Sequence, residues 1–386
     1  MLSGVHKRLQ LSSETTGEEA ASSQKQERPV KACDQTEDCG CRENSPSTGN
    51  GRIGRGEDES HSEMSESATF GFKHCEIPEV FQIPFIVSGY RRPGLSFWEC
   101  IKSLLRSSNE TFNVWSHLVA LVLFISVNMT SLTTDDPFSL PLISFAIGIS
   151  VLYFTSSSAH LFNCMSADSH RICFFFDYAA IGFYTFTAGQ ALFFYSRAAG
   201  APFWSMFDSL VIFQILSSIF SFLLTIFCCI SSHPRWKNHK ALLKVAVLVI
   251  NWLVITSPYT IRMLLCKDDP AYNCVSSVYF MRHIIFCGLG AVLYAARLPE
   301  RLMIGVFDNF GQSHNLQHIL VAMGIQQAFN TAQVDLHGRR AALAARFASQ
   351  PTLMNTVGAA IIVLIGHVAI VLWFARKLFS AKNKRQ

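Results

Sequence analysis

Eight runs of apolar residues, each near the roughly 20 residues a helix needs to cross a bilayer, constrain this chain more than any other feature. They extend from Asn113 to Leu132, Leu140 to Leu161, Ile172 to Tyr195, Phe203 to Cys229, Val245 to Ile261, Val275 to Ala296, His314 to Ala332 and Met354 to Phe374. In hydrocarbon a backbone must pair its own polar groups, which a helix does within the segment. The fold expected is therefore an all-α polytopic membrane bundle, with a seven-helix core, an eighth C-terminal helix and a cytosolic N-terminus. Composition agrees, since the chain is 50% hydrophobic and only 15% charged, with 32 Phe; a soluble domain does not bury so much.

Charge fixes the expected orientation. Residues 1–70 hold 8 Lys+Arg against 13 Asp+Glu, so the overall +5 divides into −5 in this tail and +10 in the remainder. The basic excess belongs to the membrane part, and nucleic acid is not an expected partner. With the N-terminus inside, sixteen Lys and Arg flank the cytosolic ends of the runs and six the outer ends, the bias that places both termini in the cytosol. No amino-terminal stretch combines a basic region, an apolar core and a small-residue cleavage site, so the first apolar helix is expected to act as the insertion signal.

Four regions follow. Residues 1–70, rich in Ser, Glu, Gly and Thr with almost no aromatic residue, cannot bury enough apolar surface to fold alone and are expected to form a disordered cytosolic tail. Cys33, Cys39 and Cys41 within it have a spacing that fits no strong zinc template. Residues 71–112 read as a juxtamembrane segment, in which Phe97, Ile101, Leu104 and Leu105 fall at helical spacing opposite Glu99, Lys102 and Arg106, the pattern of a short interfacial helix. Residues 113–377 make up the bundle and 378–386 a basic cytosolic tail. Pro258 is expected to bend or end the fifth helix, and the Gln- and Asn-rich seventh run must be enclosed by other helices.

Chemistry concentrates at one depth. In GQSHNLQH, Gly311 to His318, two histidines four apart share a helix face and can aim ring nitrogens at one point. TSSSAHLF places Ser156 one turn before His160 at the cytosolic end of the second run, and Asp177 follows soon after the start of the third. His160, His314 and His318 supply the neutral nitrogen ligands typical of a catalytic zinc (Zn2+). Asp177 could hydrogen-bond a water or orient a ligand there, with Ser156 beside it; the alternative is a hydrogen-bonded polar cluster without metal.

Other groups carry weaker signals. His117 lies at the same end of the first run and could join the cluster. Arg282 and His283 lie inside the sixth run, where Arg282 could pair with Asp208 or meet a ligand. Cys266 and Cys274 flank an outer loop and could form a disulfide. Cys228 and Cys229 are candidate palmitoylation sites or buried thiols. The sequons at Asn109 and Asn128 are expected to be unused. A rhodopsin-type receptor is excluded, because no DRY-like triplet follows the third run and no NPxxY-like run occurs in the seventh.

The runs SNETFNVWSH, SSSAH with Asp177 seventeen positions after His160, LPER at Leu298 to Arg301, and VFDNFGQSHNLQH resemble the hallmark motifs of the progestin and adipoQ receptor family. The resemblance spans about Ile77 to Lys377. The eighth helix with its basic tail, and Gln312, are closer to the membrane progestin receptor branch than to the adiponectin branch. It implies a plasma-membrane receptor for a progestin-like steroid that signals to a cytosolic protein, with zinc held by His160, His314 and His318 and with Ser156 and Asp177 beside it. The family also resembles alkaline ceramidases, which implies as an alternative a zinc-dependent ceramidase-like amidohydrolase acting on a sphingolipid, with Asp177 and Ser156 as its catalytic candidates; an adiponectin-type receptor is a further alternative. Asn315 stands where many relatives carry Gln and off the histidine face, so it is expected to bear on ligand preference more than on the metal.

Overall fold

The computed structural model describes residues 69–128, 130, 132, 135–198, 208–233, 236, 240–265, 274–345 and 350–383. The expectations for the acidic tail, its three cysteines and Cys266 lie outside these residues, whereas Cys274 is disulfide-bonded.

The described chain opens with a two-stranded antiparallel ribbon, β1 (Phe70–Phe72) and β2 (Tyr90–Arg91). Helix α1 (Phe97–Ser103) then starts at a capping box: the Ser96 hydroxyl accepts from the Glu99 amide at 3.4 Å, and the Glu99 carboxylate accepts from the Ser96 amide at 2.7 Å, satisfying two of the orphan donors at the helix start. Its buried face is Cys100 and Ser103, packed on the cluster of Leu95, Val114, Leu161 and Cys164. The stripe expected from spacing is corrected here, because the helix stops at Ser103 and leaves Leu105 beyond it at 87% exposure.

Seven helical segments among the described residues are long and apolar enough to cross a membrane. They correspond to α2 (Thr111–Asn128), α3 (Leu140–Phe162), α4 (Ala167–Ser196), α5 (Leu210–Ser231), α6 (Lys240–Leu265), α7 (Ser277–Ala296) and a last helix, Ala359–Asn383, entered through a π-helical turn at Met354–Gly358. Between the last two lies α8 (Ser313–Gly338), whose 26 residues give about 39 Å at 1.5 Å per residue; the C-terminal helix is then α9. The fold is thus the expected all-α bundle, α2–α8 with an eighth helix appended, and the protein is a multi-pass membrane protein.

Helix α8 is too polar to face lipid, and its neighbours explain how it is tolerated. It packs on α7, α2, α4 and α3, and its amides pair inside the bundle: Asn128 Nδ2 donates to Gln326 Oε1 at 3.1 Å, and Gln326 Nε2 to Asn330 Oδ1 at 2.8 Å. Around it Phe145, Ile149, Tyr195, Ile325 and Phe329 form the main core. Close approach of α3 and α4 depends on Gly148, where a Cβ would stand 2.0 Å from Thr187 Oγ1, the use of small residues typical of membrane helix contacts.

Pro258 does not end its helix. It lies inside α6, which runs on to Leu265. Proline removes the N–H that would reach the carbonyl four residues back, here that of Val254, and Ser257 Oγ donates to that carbonyl at 2.7 Å instead. The seven further residues bring Arg262 into the bundle, which sequence reading had placed among the loop cations. Arg262 is fully buried and its guanidinium donates to Asp335 Oδ2 at 2.6 Å. Ser196 and Ser276 donate to the two oxygens of the same carboxylate at 2.6 and 2.7 Å. The clasp joins α4, α6, the start of α7 and the end of α8.

Removing one partner of a buried ion pair leaves the other charge desolvated and typically costs about 3–5 kcal/mol, whereas apolar replacement of both is often near neutral. Asp335→Ala is therefore expected to lower the unfolding temperature of the purified protein sharply, and the double variant Arg262→Met with Asp335→Leu to restore most of it. A single variant as stable as the wild type in the same detergent would show that the clasp contributes little.

Candidate metal centre

The sequence puts His314 and His318 at the start of α8 because that start is held firmly. Glu300 accepts from the Ser313 amide at 2.7 Å and from its hydroxyl, a carboxylate placed where the helix exposes unpaired N–H groups and the positive end of its dipole. Asp308 accepts from the Ser88 amide and hydroxyl, both at 2.7 Å, and from the Val87 amide at 3.1 Å. Gln312 Nε2 donates to the Asn109 carbonyl at 3.0 Å. Gln312 thus joins the VFDNFGQSH run to the SNE run just before α2, and Asp308 joins it to Val87 and Ser88 before β2.

His160, near the C-terminus of α3, is fixed from behind by Arg91. That guanidinium is 5% exposed and donates to the carbonyls of His160 and Leu161 at 2.6 and 2.8 Å, to Asn163 Oδ1 at 2.8 Å and to Ser103 Oγ at 3.1 Å. A cation on the last carbonyls of a helix satisfies groups that have no intrahelical partner. Sequence reading counted Arg91 only as a loop charge.

The three histidines come together. Their ligand-capable nitrogens all lie within 4.8 Å of one another, with His160 and His318 buried and His314 half-buried. Each also has its Nδ1 within hydrogen-bond reach of a partner: His160 of Glu110 Oε2 at 2.7 Å, His314 of Gln317 Oε1 at 3.1 Å, and His318 of Ser116 Oγ at 3.0 Å and the Asn113 carbonyl at 3.2 Å. An Nδ1–H donated to an acceptor leaves Nε2 as a bare lone pair on a neutral ring. His160 Nε2 and His314 Nε2 nonetheless face each other at 3.2 Å. That approach is favourable with a cation between two lone pairs, or with a proton carried by one of the two nitrogens in the other tautomer. Nitrogens on a tetrahedral zinc at about 2.0–2.1 Å stand about 3.3 Å apart, so this donor set fits a divalent ion of that kind.

The layer behind the imidazoles is what sequence reading missed. Glu110 was not singled out, yet it accepts from His160 Nδ1, from Asn113 Nδ2 at 2.8 Å and from Asn163 Nδ2 at 2.9 Å. Burial would raise its carboxyl, but the His160 imidazole and the Arg91 guanidinium hold it well below the usual carboxylate range. Carboxylate, imidazole and the converging point form the carboxylate–histidine–metal arrangement that orients ligands. The available signal was the Glu110–Asn113 spacing, three apart at the start of α2, which places both side chains on one face. Asn315 also changes role: it is buried and donates to Asn113 Oδ1 at 2.7 Å, so it supports the Glu110–His160 bond.

Ser156 and Asp177 are both buried, on α3 and α4. Asp177 Oδ1 has no hydrogen-bond partner, so it has capacity for a water or ligand beside His160. His117 stacks on His318 with ring centroids 3.9 Å apart. The remaining candidates are structural or paired elsewhere. His283 is satisfied on both nitrogens, by the Gly324 carbonyl at 3.0 Å and by Trp252 Nε1 at 3.2 Å. Arg282 does not meet Asp208, which pairs with Arg197 at 3.7 Å, while Arg282 lies over the Tyr279 ring. Cys228 and Cys229 are buried thiols.

Comparison with known proteins agrees with these motifs. Residues 105–328 match the family model described as haemolysin-III related. The chain belongs to this family, which includes the progestin and adipoQ receptors. It is similar to membrane progestin receptor gamma-A of Danio rerio, 30% identical over 329 residues that cover 80% of this chain and 94% of the relative. It is also similar to membrane progestin receptor gamma of Homo sapiens, 31% identical over 320 residues and 80% and 94% of the two chains, and to membrane progestin receptor delta of Mus musculus, 31% identical over 314 residues and 78% and 89%. The family match spans Glu110, the three histidines and Asp177, so the cluster lies within the part of the chain that the haemolysin-III-related proteins share.

Outer-shell partners of metal-bound histidines typically change metal affinity by about 10- to 100-fold when replaced. Glu110→Ala is accordingly expected to weaken retention of a divalent metal by about that factor while helical content is kept, read by metal content after dialysis against graded chelator. Unchanged retention would remove Glu110 from the centre.

Proposed function

We propose that the protein is a plasma-membrane receptor for a progestin-like steroid, built around an intramembrane zinc held by His160, His314 and His318. The observation that supports the metal is the convergence of the three imidazoles, whose ligand-capable nitrogens lie within 4.8 Å of one another, with His160 Nε2 and His314 Nε2 3.2 Å apart. The steroid reading is supported by similarity to membrane progestin receptors over most of the chain. The N-terminus and the metal-bearing end of the bundle face the cytosol in this reading. Residues 1–70 form the cytosolic tail, 71–112 the juxtamembrane segment, 113–377 the bundle and 378–386 the basic tail. A ligand in the bundle acts by binding one helix arrangement better than another, so the cytosolic face presented to a signalling protein changes with occupancy.

A second reading has its own observation, the unpartnered Oδ1 of Asp177. A bound zinc would supply Lewis acidity and a more acidic water. Asp177 would take a proton from that water and Ser156 would hold the Asp177 carboxyl in place, the arrangement required to hydrolyse a ceramide-like amide. The two readings are compatible, with steroid binding governing hydrolysis.

His318→Ala separates them. Wild type and variant are purified in parallel, and zinc content, binding of labelled progesterone and fatty-acid release from ceramide are measured on each. The variant is expected to lose its zinc. Steroid binding that survives this loss, with no turnover in either protein, leaves the receptor alone; turnover in the wild type that disappears in the variant establishes the hydrolase. A variant that retains full zinc overturns the metal assignment.

A further inference from the structure

His117 is the one buried histidine among the described residues with both ring nitrogens unbonded. It is 5% exposed, in α2, six residues past the start of the helix. The other imidazoles in this part of the bundle are held by acceptors through Nδ1, and His283 is satisfied on both sides. A buried N–H without an acceptor costs about 1–3 kcal/mol, and buried polar groups of folded proteins are nearly always bonded. A ring needed only for packing would carry no nitrogen. In either neutral tautomer the imidazole offers one N–H and one lone pair.

The surroundings indicate what those nitrogens meet. One face of the ring lies flat on His318, with centroids 3.9 Å apart and planes 7° from parallel. Tyr153 lies 5.2 Å away at a 46° tilt. Counted at 1.5 Å per residue, His117 and His318 lie about 9 and 7.5 Å from the starts of α2 and α8, and Tyr153 about 13 Å from the end of α3. His117 thus lies against one of the converging histidines and against Tyr153, which belongs to the apolar cluster of Phe145, Ile149, Leu152, Ile325 and Phe329. A molecule reaching the triad from that interior presents apolar surface along its length and its polar end to this layer.

We infer that a ring N–H of His117 donates to a carbonyl oxygen of the ligand held in the bundle, a ketone of a rigid apolar molecule, and that this contact sets which ligands bind. The inference rests on the receptor reading above. His117 is not one of the converging metal ligands; its part is to orient and select the ligand beside them.

The test is a cycle between residue and ligand on the full-length protein. Equilibrium binding of progesterone, of its analogue lacking the ring ketone and of its analogue lacking the side-chain ketone is measured on wild type and His117→Phe, with zinc content as the control. Phenylalanine keeps a flat ring on His318 and removes both nitrogens. The expected result is a loss of about 5- to 10-fold in progesterone affinity, the size of one neutral hydrogen bond, with zinc unchanged. One ketone-free analogue binds wild type and variant equally, and that analogue identifies the ketone contacted. His117→Gln, which restores a donor, is expected to retain the wild-type ketone preference, and supplies the same comparison if the phenylalanine variant does not fold. Equal losses for all three probes, or no loss, overturn the assignment while leaving the receptor reading intact; a wild type that binds no steroid overturns both.

Discussion

An imidazole in hydrocarbon must place one N–H and one lone pair, and this bundle solves that problem three times in the same direction. Glu110, Gln317 and the Asn113 carbonyl face the Nδ1 atoms of His160, His314 and His318. In the tautomer that donates to them, the far nitrogens of the rings are free to accept from one shared partner. Nearly every polar contact at this end of the molecule serves that arrangement. Asn315 holds Asn113, Asn113 and Asn163 hold Glu110, and Arg91 holds Asn163 together with the carbonyl of His160. Buried networks of this kind stabilise only when all members are satisfied, which ties the geometry of the three rings to residues from β2, α2, the α3–α4 turn and α8.

Helix α8 carries two of the rings and is anchored at both ends. Glu300 and Gln312 fix its first turn, and Asp335, bonded to Arg262, Ser196 and Ser276, fixes its last. Its amide side chains would be costly in lipid, and burial among four helices lets Gln326 bond Asn128 on α2 and Asn330 on its own helix. The polarity that makes α8 the least membrane-like helix is thus the source of its attachment.

The sequence reveals the class of fold and the convergence of three histidines for one reason, periodicity. Apolar runs of bilayer length are unambiguous, and the i, i+4 spacing of His314 and His318, with His160 at the same expected depth, needed no tertiary information. What stayed hidden depended on partners distant in sequence. Arg91 and Arg262 look like ordinary flanking cations until their acceptors, at His160 and at Asp335, are known. Glu110 lies at a helix start where acidic residues are common, so nothing local separates it from a capping residue. Pro258 does not end α6, where Ser257, its immediate neighbour, takes over the carbonyl that the proline leaves without a donor. Arg282 and Asp208 were matched by depth alone, and depth does not specify which faces meet.

The distribution of polar bonds also divides the bundle. At the metal-bearing end α2, α3 and α8 are joined by a continuous network, whereas α6 is bonded there to α4 through Lys244 and Tyr178, and α5 to α9 through Thr225 and His367 at 3.0 Å. At the opposite end α6 is bound to α8 by the Arg262–Asp335 clasp. Packing between apolar helices in lipid has little hydrophobic driving force of its own, so displacing α5, α6 and α9 at the metal-bearing end breaks few bonds, while displacing α2 or α8 breaks many. The histidine triad lies within the part of the bundle that this network holds.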